Sequence, residues 1–259
     1  MRHLFLLFSI SLLLISCNGT AKNNDKVEIT SLNSASKTNI EEVAPKITKT
    51  FVLGKFNYKT DTTFIKVNAK HAAKHLYLKK EAYTAFVKMY NAAKTDGIDL
   101  KIISGTRSFK EQKTIWERKW ARYKTLKPIN CAKKILKYSA MPSTSRHHWG
   151  TDIDLNSLNN LYFNSGKGKK EYNWLVTNAN TFGFYQVYNT KDSNRTGYNL
   201  EKWHWSYLPL ASKYLEFYNQ SITNADINDF KGSNLAEALK IISKYVNGIA
   251  QNAKAFNKK

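Results

Sequence analysis

Residues 143–156 read STSRHHWGTDIDLN, and this short polar stretch constrains the chain more than any other part of its sequence. Two adjacent histidines, His147 and His148, are followed by Asp152 and Asp154, and their spacing fits no helical period. Carboxylates two positions apart face the same side of an extended segment. We therefore predict a loop that leads into a short strand. The stretch is either a metal site or a set of hydrogen-bonded polar residues, and composition alone favours neither.

A second aromatic segment, EKWHW at 201–205, contains another histidine. Zinc accepts nitrogen and carboxylate oxygen ligands, and a catalytic zinc site keeps three protein ligands and an open position. Two histidines and one aspartate from the two segments would satisfy that count. Glu201 and His204 are three positions apart, so a strand would need a bend for both to reach one metal. His71 and His75 in HAAKH lack the glutamate of HExxH, and we expect them on a helix surface.

The remaining sequence predicts a mixed α+β domain that starts near Phe51. Ser108 and Glu111 fit a capping box, which places Arg107 at a strand-to-helix junction where its side chain can reach a cleft. There is no regular βαβ alternation and no nucleotide-binding glycine motif. Helices are predicted over 78–94, after Ser108, over 172–183, over 210–220 and within 233–250. Strands are predicted over 98–104, over 184–189 and over 198–209, and a loop followed by a short strand is predicted within 147–155.

Three motifs together resemble the VanY-type D-alanyl-D-alanine carboxypeptidases, a family of LAS-type zinc peptidases. SRHHWGTDID follows the family's S-x-H-x-x-G-x-x-x-D pattern, EKWH its E-x-W-H, and SGTRSFKEQ its S-G-x-R-S-x-x-x-Q. The motifs occur in the family's order over roughly residues 75–215. The resemblance implies a small antiparallel sheet with flanking helices that carries a zinc cleft. It also implies an enzyme that trims the terminal D-alanine from peptidoglycan stem peptides.

The resemblance assigns roles to individual residues. Glu201 would be the general base. Arg107 would stabilise the developing oxyanion or hold the substrate's terminal carboxylate, and the sequence does not choose between these roles. The implied Zn²⁺ ligands are His147, Asp154 and His204. The implied substrate-contact residues are Ser145, Gln112 and Trp203.

Three positions beside these motifs need separate interpretation. His148 would be an accessory residue, unless the register of the motif is shifted by one. Asp152 stands where many relatives have a small residue, and it alters the polarity beside the metal or orients one of its ligands. Ser206 stands where some relatives carry arginine, a difference that bears on recognition of the substrate's terminus.

The N-terminal segment MRHLFLLFSISLLLISC predicts export from the cytoplasm. Its apolar stretch is too short for a normal membrane span, and LISC resembles a bacterial lipobox. We expect a lipoprotein signal peptide over 1–16 and lipid attachment to Cys17. The alternative is an ordinary cleaved signal with a chance cysteine. The further expected divisions are a flexible tether over 17–50, a zinc peptidase domain over 51–222 and a C-terminal helical extension over 223–259.

The formal charge of +22 and the pI near 9.8 favour an anionic partner. We expect a protein lipid-anchored in the bacterial cell envelope, periplasm-facing, with the anionic envelope and peptidoglycan stem peptides as partners. Contact with the membrane would run through the lipid on Cys17. Alternatives on the same fold are a peptidoglycan endopeptidase, an L,D-carboxypeptidase and a non-catalytic wall-binding module. Nucleic acid is not expected, because only the charge favours it.

Overall fold

The structure, a computed structural model, describes residues 46–191 and 195–256. Short strands alternate irregularly with helices in these ranges. The strands are β1 (Phe64–Lys66), β2 (Tyr77–Lys79), β3 (Ile102–Ser104), β4 (Asp152–Leu155), β5 (Phe184–Tyr185) and β6 (His204–Tyr207). The α-helices are α1 (Lys49–Val52), α2 (Lys80–Thr95), α3 (Phe109–Arg122), α4 (Pro128–Ile135), α5 (Gly166–Asn178), α6 (Leu208–Ser221) and α7 (Gln251–Lys254).

The central sheet has the strand order β3–β4–β6–β5, and all of its pairs are antiparallel. Strands β4 and β6 pair with Ile153 opposite Trp205 and with Asp154 opposite His204. Because side chains alternate along a strand, Ile153 and Trp205 share one face of the sheet while Asp154 and His204 share the other. Strands β1 and β2 form a separate antiparallel pair. The predicted α+β fold with a small antiparallel sheet and flanking helices is therefore confirmed.

Ile153 and Trp205 belong to a buried cluster that also contains Phe86 of α2 and Leu175 of α5. The helices thus cover the apolar face of the sheet, as the alternation of β4 requires. A second buried cluster joins Trp116 of α3 to residues of α4, α6 and the C-terminal segment. These clusters leave the polar face of β4 and β6 for the site.

Local signals in the sequence placed several helix ends correctly. Ser108 and Glu111 form the predicted capping box at the start of α3, with each side chain bonded to the other's backbone N–H. Helix α2 ends before Gly97, which has a left-handed φ of 72°. Short-range backbone hydrogen bonds fix these features, so they can be read directly from neighbouring residues.

The prediction that His71 and His75 lie on the surface of a helix is wrong. Both residues lie in the connection between β1 and β2, where Ala72 makes an isolated bridge to Ile102. His71 is buried, and its Nδ1 lies 2.7 Å from the hydroxyl of Tyr83, whereas His75 is exposed. Pairing with β3 therefore overrides the helical spacing of these two histidines.

The helix predicted within 233–250 is also wrong. The segment contains a 3₁₀ turn at Ser233–Leu235, a π-helical turn at Ile242–Val246 and the short α7 that follows. Lys240 has a left-handed φ of 53°, which breaks any continuous helix at that point. Ile241 is buried in the cluster that contains Trp116, so the segment packs against the core without forming a regular helix.

Strand lengths were overestimated at 98–104, at 184–189 and at 198–209, where only the shorter β3, β5 and β6 form. The predictions of a signal peptide, of lipid attachment to Cys17 and of most of the tether fall within residues 1–45, outside the described residues. Thr48 already caps α1. In the described ranges, no helix combines the length and the apolar character that crossing a membrane requires.

Candidate metal centre and active site

The two histidines and the aspartate predicted as ligands come together in the fold. His147 lies in a 3₁₀ turn at Arg146–Trp149, Asp154 on β4 and His204 on β6. One ligand atom from each residue lies within 4.8 Å of the other two, and all three side chains are buried. His147 Nε2 is 3.4 Å from Asp154 Oδ2, and His204 Nδ1 is 3.1 Å from Asp154 Oδ1. This donor set matches the nitrogen and carboxylate ligands of catalytic zinc sites.

The backbone around His147 fixes the direction of its ring. His147 Nδ1 lies 2.9 Å from the carbonyl oxygen of Gly105. Because a carbonyl only accepts hydrogen bonds, Nδ1 carries the proton and Nε2 presents its lone pair to the other two ligands. The turn ends at Gly150, whose φ of 73° is left-handed and whose Cβ, if present, would overlap the Phe64 ring. The glycine of the motif is thus required by both its conformation and its packing.

His204 lies between two carboxylates. Its Nε2 is 2.8 Å from Asp152 Oδ2, while its Nδ1 faces Asp154. Burial lowers the pKa of His204, but the hydrogen bonds and charges of Asp152 and Asp154 outweigh burial and raise the pKa to about 9. Binding of a cation through Nδ1 would therefore release a proton from this ring.

The pKa of Asp154 is held well below its usual range. Burial alone would raise the pKa, but the charges and hydrogen bonds of His147 and His204 outweigh it. For Asp152 the main opposing charge is Arg146, and the pKa is likewise well below its usual range. Both aspartates are therefore carboxylates over the physiological pH range, which is the form that binds a cation.

Glu201 reaches the same point because β6 is preceded by a turn. The N–H of His204 donates to the carbonyl of Glu201 at 3.2 Å, which gives the chain the bend that a continuous strand would lack. Glu201 Oε2 is 3.8 Å from His204 Nδ1. Burial raises the pKa of Glu201 to about 8, although the charges of His204 and Arg107 oppose the shift. A carboxyl group beside a ligand set with such a pKa can exchange a proton near neutral pH.

Arg107 lies between β3 and α3, as predicted. Its guanidinium donates to Ser104 Oγ at 2.6 Å and to Gln112 Oε1 at 3.0 Å. The amide nitrogen of Gln112 donates in turn to the carbonyl of Ala140 at 2.8 Å. Arg107 Nη1 is 3.9 Å from Asp154 Oδ2. Gln112 therefore orients Arg107, and its expected contact with substrate stays a prediction.

The proposed ligands, Glu201 and Arg107 line one open cleft, whose volume is about 1220 Å³. The predicted site residues that line it are Arg107, Gln112, Ser145, His147, Asp154, Glu201, Trp203 and His204. Ser145 and Trp203 are buried in its wall, and the ring of Trp203 lies 6.2 Å from that of Tyr138. The structure thus brings every predicted site residue to the same cavity.

His148 does not line this cleft, and the histidine that lies beside Asp154 and His204 is His147. Its Nδ1 lies 2.7 Å from the carbonyl of Arg107, and its Nε2 accepts from the backbone N–H of Ser143 at 3.2 Å. Burial lowers the pKa of His148 to about 3, so the ring is neutral. A Cβ on Gly54 would overlap this ring. His148 therefore holds three backbone segments together.

Sequence reasoning missed two residues that surround the site. Lys119 is half-buried in the cleft, and burial lowers its pKa while the charge of Glu201 opposes that shift. Its only sequence signal is its position seven residues after Gln112, on the same face of α3. Tyr188 packs its ring 4.6 Å from that of His204. No local pattern marks Tyr188, since that contact depends on the pairing of distant segments.

A sequence model of the VanY family, described as D-alanyl-D-alanine carboxypeptidase, matches residues 75–210, just over half of the 259-residue chain. The chain belongs to this family, and the resemblance inferred from the three motifs is confirmed.

The chain is 33% identical over 138 residues to "Putative carboxypeptidase YodJ" of Bacillus subtilis (strain 168), covering 51% of this chain and 46% of that one. It is 29% identical over 136 residues to a D-alanyl-D-alanine carboxypeptidase of Enterococcus faecalis (strain ATCC 700802 / V583), covering 52% and 49%. The chain thus spans about half the length of these curated relatives. Among solved structures, the LdcB LD-carboxypeptidase superposes with a TM-score of 0.50 at 23% identity, covering 66% of this chain and 77% of that one. That likeness supports the fold.

Proposed function

We propose that this chain is a zinc-dependent D,D-carboxypeptidase that removes the terminal D-alanine from peptidoglycan stem peptides. The observation that carries the proposal is the buried convergence of His147, Asp154 and His204, with Glu201 beside them, in one open cleft. Membership of the VanY family supports it, as does the activity for which the Enterococcus faecalis relative is named.

The residues present fit a zinc ion. Each imidazole has one nitrogen occupied by an acceptor outside the cluster, Gly105 for His147 and Asp152 for His204, so that the other nitrogen is directed at Asp154. Hydrogen bonding of that kind is typical of zinc-binding histidines. When bound, zinc would lower the pKa of a water molecule toward 7 and polarise the scissile carbonyl.

Glu201 acts as the proton carrier in this proposal. Its carboxylate takes a proton from the attacking water and gives it to the amine of the departing D-alanine, so the carboxylate is regenerated. The pKa of about 8 suits this role, because a group that both accepts and donates a proton works best near the ambient pH.

Arg107 recognises developing or permanent negative charge on the substrate. Ser104 and Gln112 hold its guanidinium in place, which lowers the entropy cost of binding an anion. Its two possible partners are the terminal carboxylate of the substrate and the carbonyl oxygen under attack. A substrate with a C-terminal amide separates these partners. An Arg107→Lys variant should have a higher KM than the wild type on the free acid. On the amide the two proteins should have similar KM values only if the terminal carboxylate is the partner of Arg107.

The proposed location is outside the cytoplasm, with a lipid on Cys17 holding the chain to the cell envelope. The apolar segment and cysteine at the N-terminus support this location, and so does the formal charge of +22, which attracts the chain to anionic envelope polymers. Replacing Cys17 by Ser and following the chain between membrane and soluble fractions tests the anchor.

Digestion of defined muropeptides tests the activity. Pentapeptides ending in D-Ala-D-Ala, tetrapeptides and cross-linked dimers should be incubated with zinc-loaded protein and the products weighed. We expect free D-alanine and a tetrapeptide from the first substrate. Release of D-alanine from tetrapeptides alone would replace the proposal with an L,D-carboxypeptidase, and cleavage of dimers alone with an endopeptidase. Binding without any cleavage would indicate a wall-binding module.

A further inference from the structure

The carboxylate of Asp152 lies outside the proposed ligand set but touches it. Asp152 Oδ2 is 2.8 Å from His204 Nε2, on the side of the ring opposite to Nδ1. The group of side chains whose ligand atoms converge contains Asp154 and not Asp152. Asp152 therefore does not share the cation with Nδ1 of the same ring. Its contact with the site runs through the imidazole.

A buried network holds this carboxylate. Arg146 Nε donates to Asp152 Oδ2 at 3.0 Å, and Ser206 Oγ and Thr151 Oγ1 each donate to Oδ1 at 2.8 Å. Arg146 Nη2 also donates to Ser206 Oγ at 2.7 Å. Asp152, Thr151 and Ser206 have no exposed surface, and Arg146 is 2% exposed. Both oxygens of the carboxylate are therefore fixed by donors.

The sheet register explains how the network forms. Strands β4 and β6 place Asp152 opposite Ser206 and Asp154 opposite His204. Asp152 and Asp154 consequently reach the two nitrogens of one imidazole from the same face of the sheet. Arg146 comes from the preceding 3₁₀ turn, and its guanidinium lies 4.8 Å from the ring of Trp149.

We infer that Asp152 is a positioning residue that keeps the proton of His204 on Nε2 and thereby directs the Nδ1 lone pair to the metal. Arg146 supplies the positive charge that allows this carboxylate to be buried. The inference rests on the proposed metal site and deepens it. A carboxylate acceptor also makes the opposite nitrogen a stronger donor to a cation than a neutral acceptor does. His147 has only a neutral acceptor, the carbonyl of Gly105, so the two imidazoles are not equivalent.

An Asp152→Asn variant tests the role of the charge with little change in volume. The amide oxygen can still face Arg146 and His204 while the amide nitrogen donates to the hydroxyls of Thr151 and Ser206, so the variant removes the negative charge beside the imidazole and keeps the shape of the side chain. We expect the zinc dissociation constant, measured by competition with a chromophoric chelator, to rise by about 10- to 100-fold. The visible spectrum of the cobalt-substituted protein should change as well, because that spectrum reports the ligand environment.

Thr151→Val is the matched control. It removes one buried hydrogen bond to the same carboxylate but leaves the contact between Asp152 and His204 intact. We expect lower thermal stability, zinc affinity within about threefold of the wild type and an unchanged cobalt spectrum, since the charged carboxylate stays bonded to His204 and to Arg146.

The double variant Arg146→Met, Asp152→Asn separates positioning from stability. Arg146→Met alone leaves a buried carboxylate without its cation and should lower the melting temperature strongly. Removing the charge of Asp152 as well should restore much of that temperature, while zinc affinity stays weak. Wild-type affinity in Asp152→Asn or in the double variant would overturn the inference and leave the proposed function intact. A wild-type protein that binds no zinc would overturn the proposed function first.

Discussion

Replacing Glu201 by Gln removes the carboxylate and its negative charge from the cleft and keeps the shape of the side chain. Glu201 is 6% exposed, and its pKa is raised to about 8 by burial. At pH 7 the neutral form of such a group outnumbers the charged form by roughly tenfold when no cation is counted. A neutral glutamine is therefore a close substitute in the fold, and we expect a melting temperature close to that of the wild type.

The same variant should be almost inactive. A positioned general base contributes about 10²- to 10⁴-fold to a rate, which corresponds to about 3–5 kcal/mol of the activation barrier. Glutamine cannot accept the proton of the attacking water, so the loss should fall on kcat. Zinc content should stay at one ion per chain, because Glu201 is not among the three converging ligands.

Glu171→Gln is a matched control for this experiment. Glu171 is also a buried glutamate, 1% exposed, but its carboxylate accepts from Tyr162 at 2.8 Å and does not line the cleft. Both proteins should be loaded with zinc and assayed for D-alanine release from a pentapeptide. If Glu201→Gln keeps kcat within about threefold of the Glu171→Gln protein, the assignment of Glu201 as general base is refuted.

Three further predictions follow from the site and the sheet. His204→Ala should lose zinc and activity together, because two ligands rarely hold the ion tightly; one zinc per chain in that variant, measured by elemental analysis, would show that the ligand set is wrong. The value of kcat/KM should fall as the pH falls through the pKa of Glu201, since only the carboxylate accepts a proton. That pKa lies at or below about 8 once a cation is nearby. A pH profile that is flat from 5 to about 8 would contradict this role. Ile153→Ala should lower the free energy of unfolding in urea by about 2–5 kcal/mol, since Ile153 is fully buried on the apolar face of β4; a loss below about 0.5 kcal/mol would contradict the packing.

The site could be predicted from sequence where the signals are local. Alternation placed Asp152 and Asp154 on one face of β4, and the capping box placed Arg107 at the start of α3. Family resemblance then supplied the partner segment at 201–205. The choice between His147 and His148 needed the fold, because it depends on which ring packs against distant backbone.

Other features depend on pairing between distant segments and have no signal of their own. The bend between Glu201 and His204 exists because β6 starts only where it can pair with β4. Lys240 adopts a left-handed conformation within a sequence that has helical spacing, so the expected C-terminal helix does not form. Arg146 pairs with Asp152 across the turn that ends at Gly150, and residue spacing does not predict that contact.

Burying Asp152, Asp154 and Glu201 close to one another opposes folding, because each carboxylate loses its hydration. Arg146 and Arg107 offset part of that cost for the two aspartates, and the imidazole of His204 offsets another part. The opposite face of the same two strands contributes the apolar burial of Ile153 and Trp205. The register of β4 against β6 therefore buries the apolar residues and also aligns the aspartates with His204. A one-residue slip of that register would expose the core face and separate the ligands together, which ties the integrity of the site to that of the core.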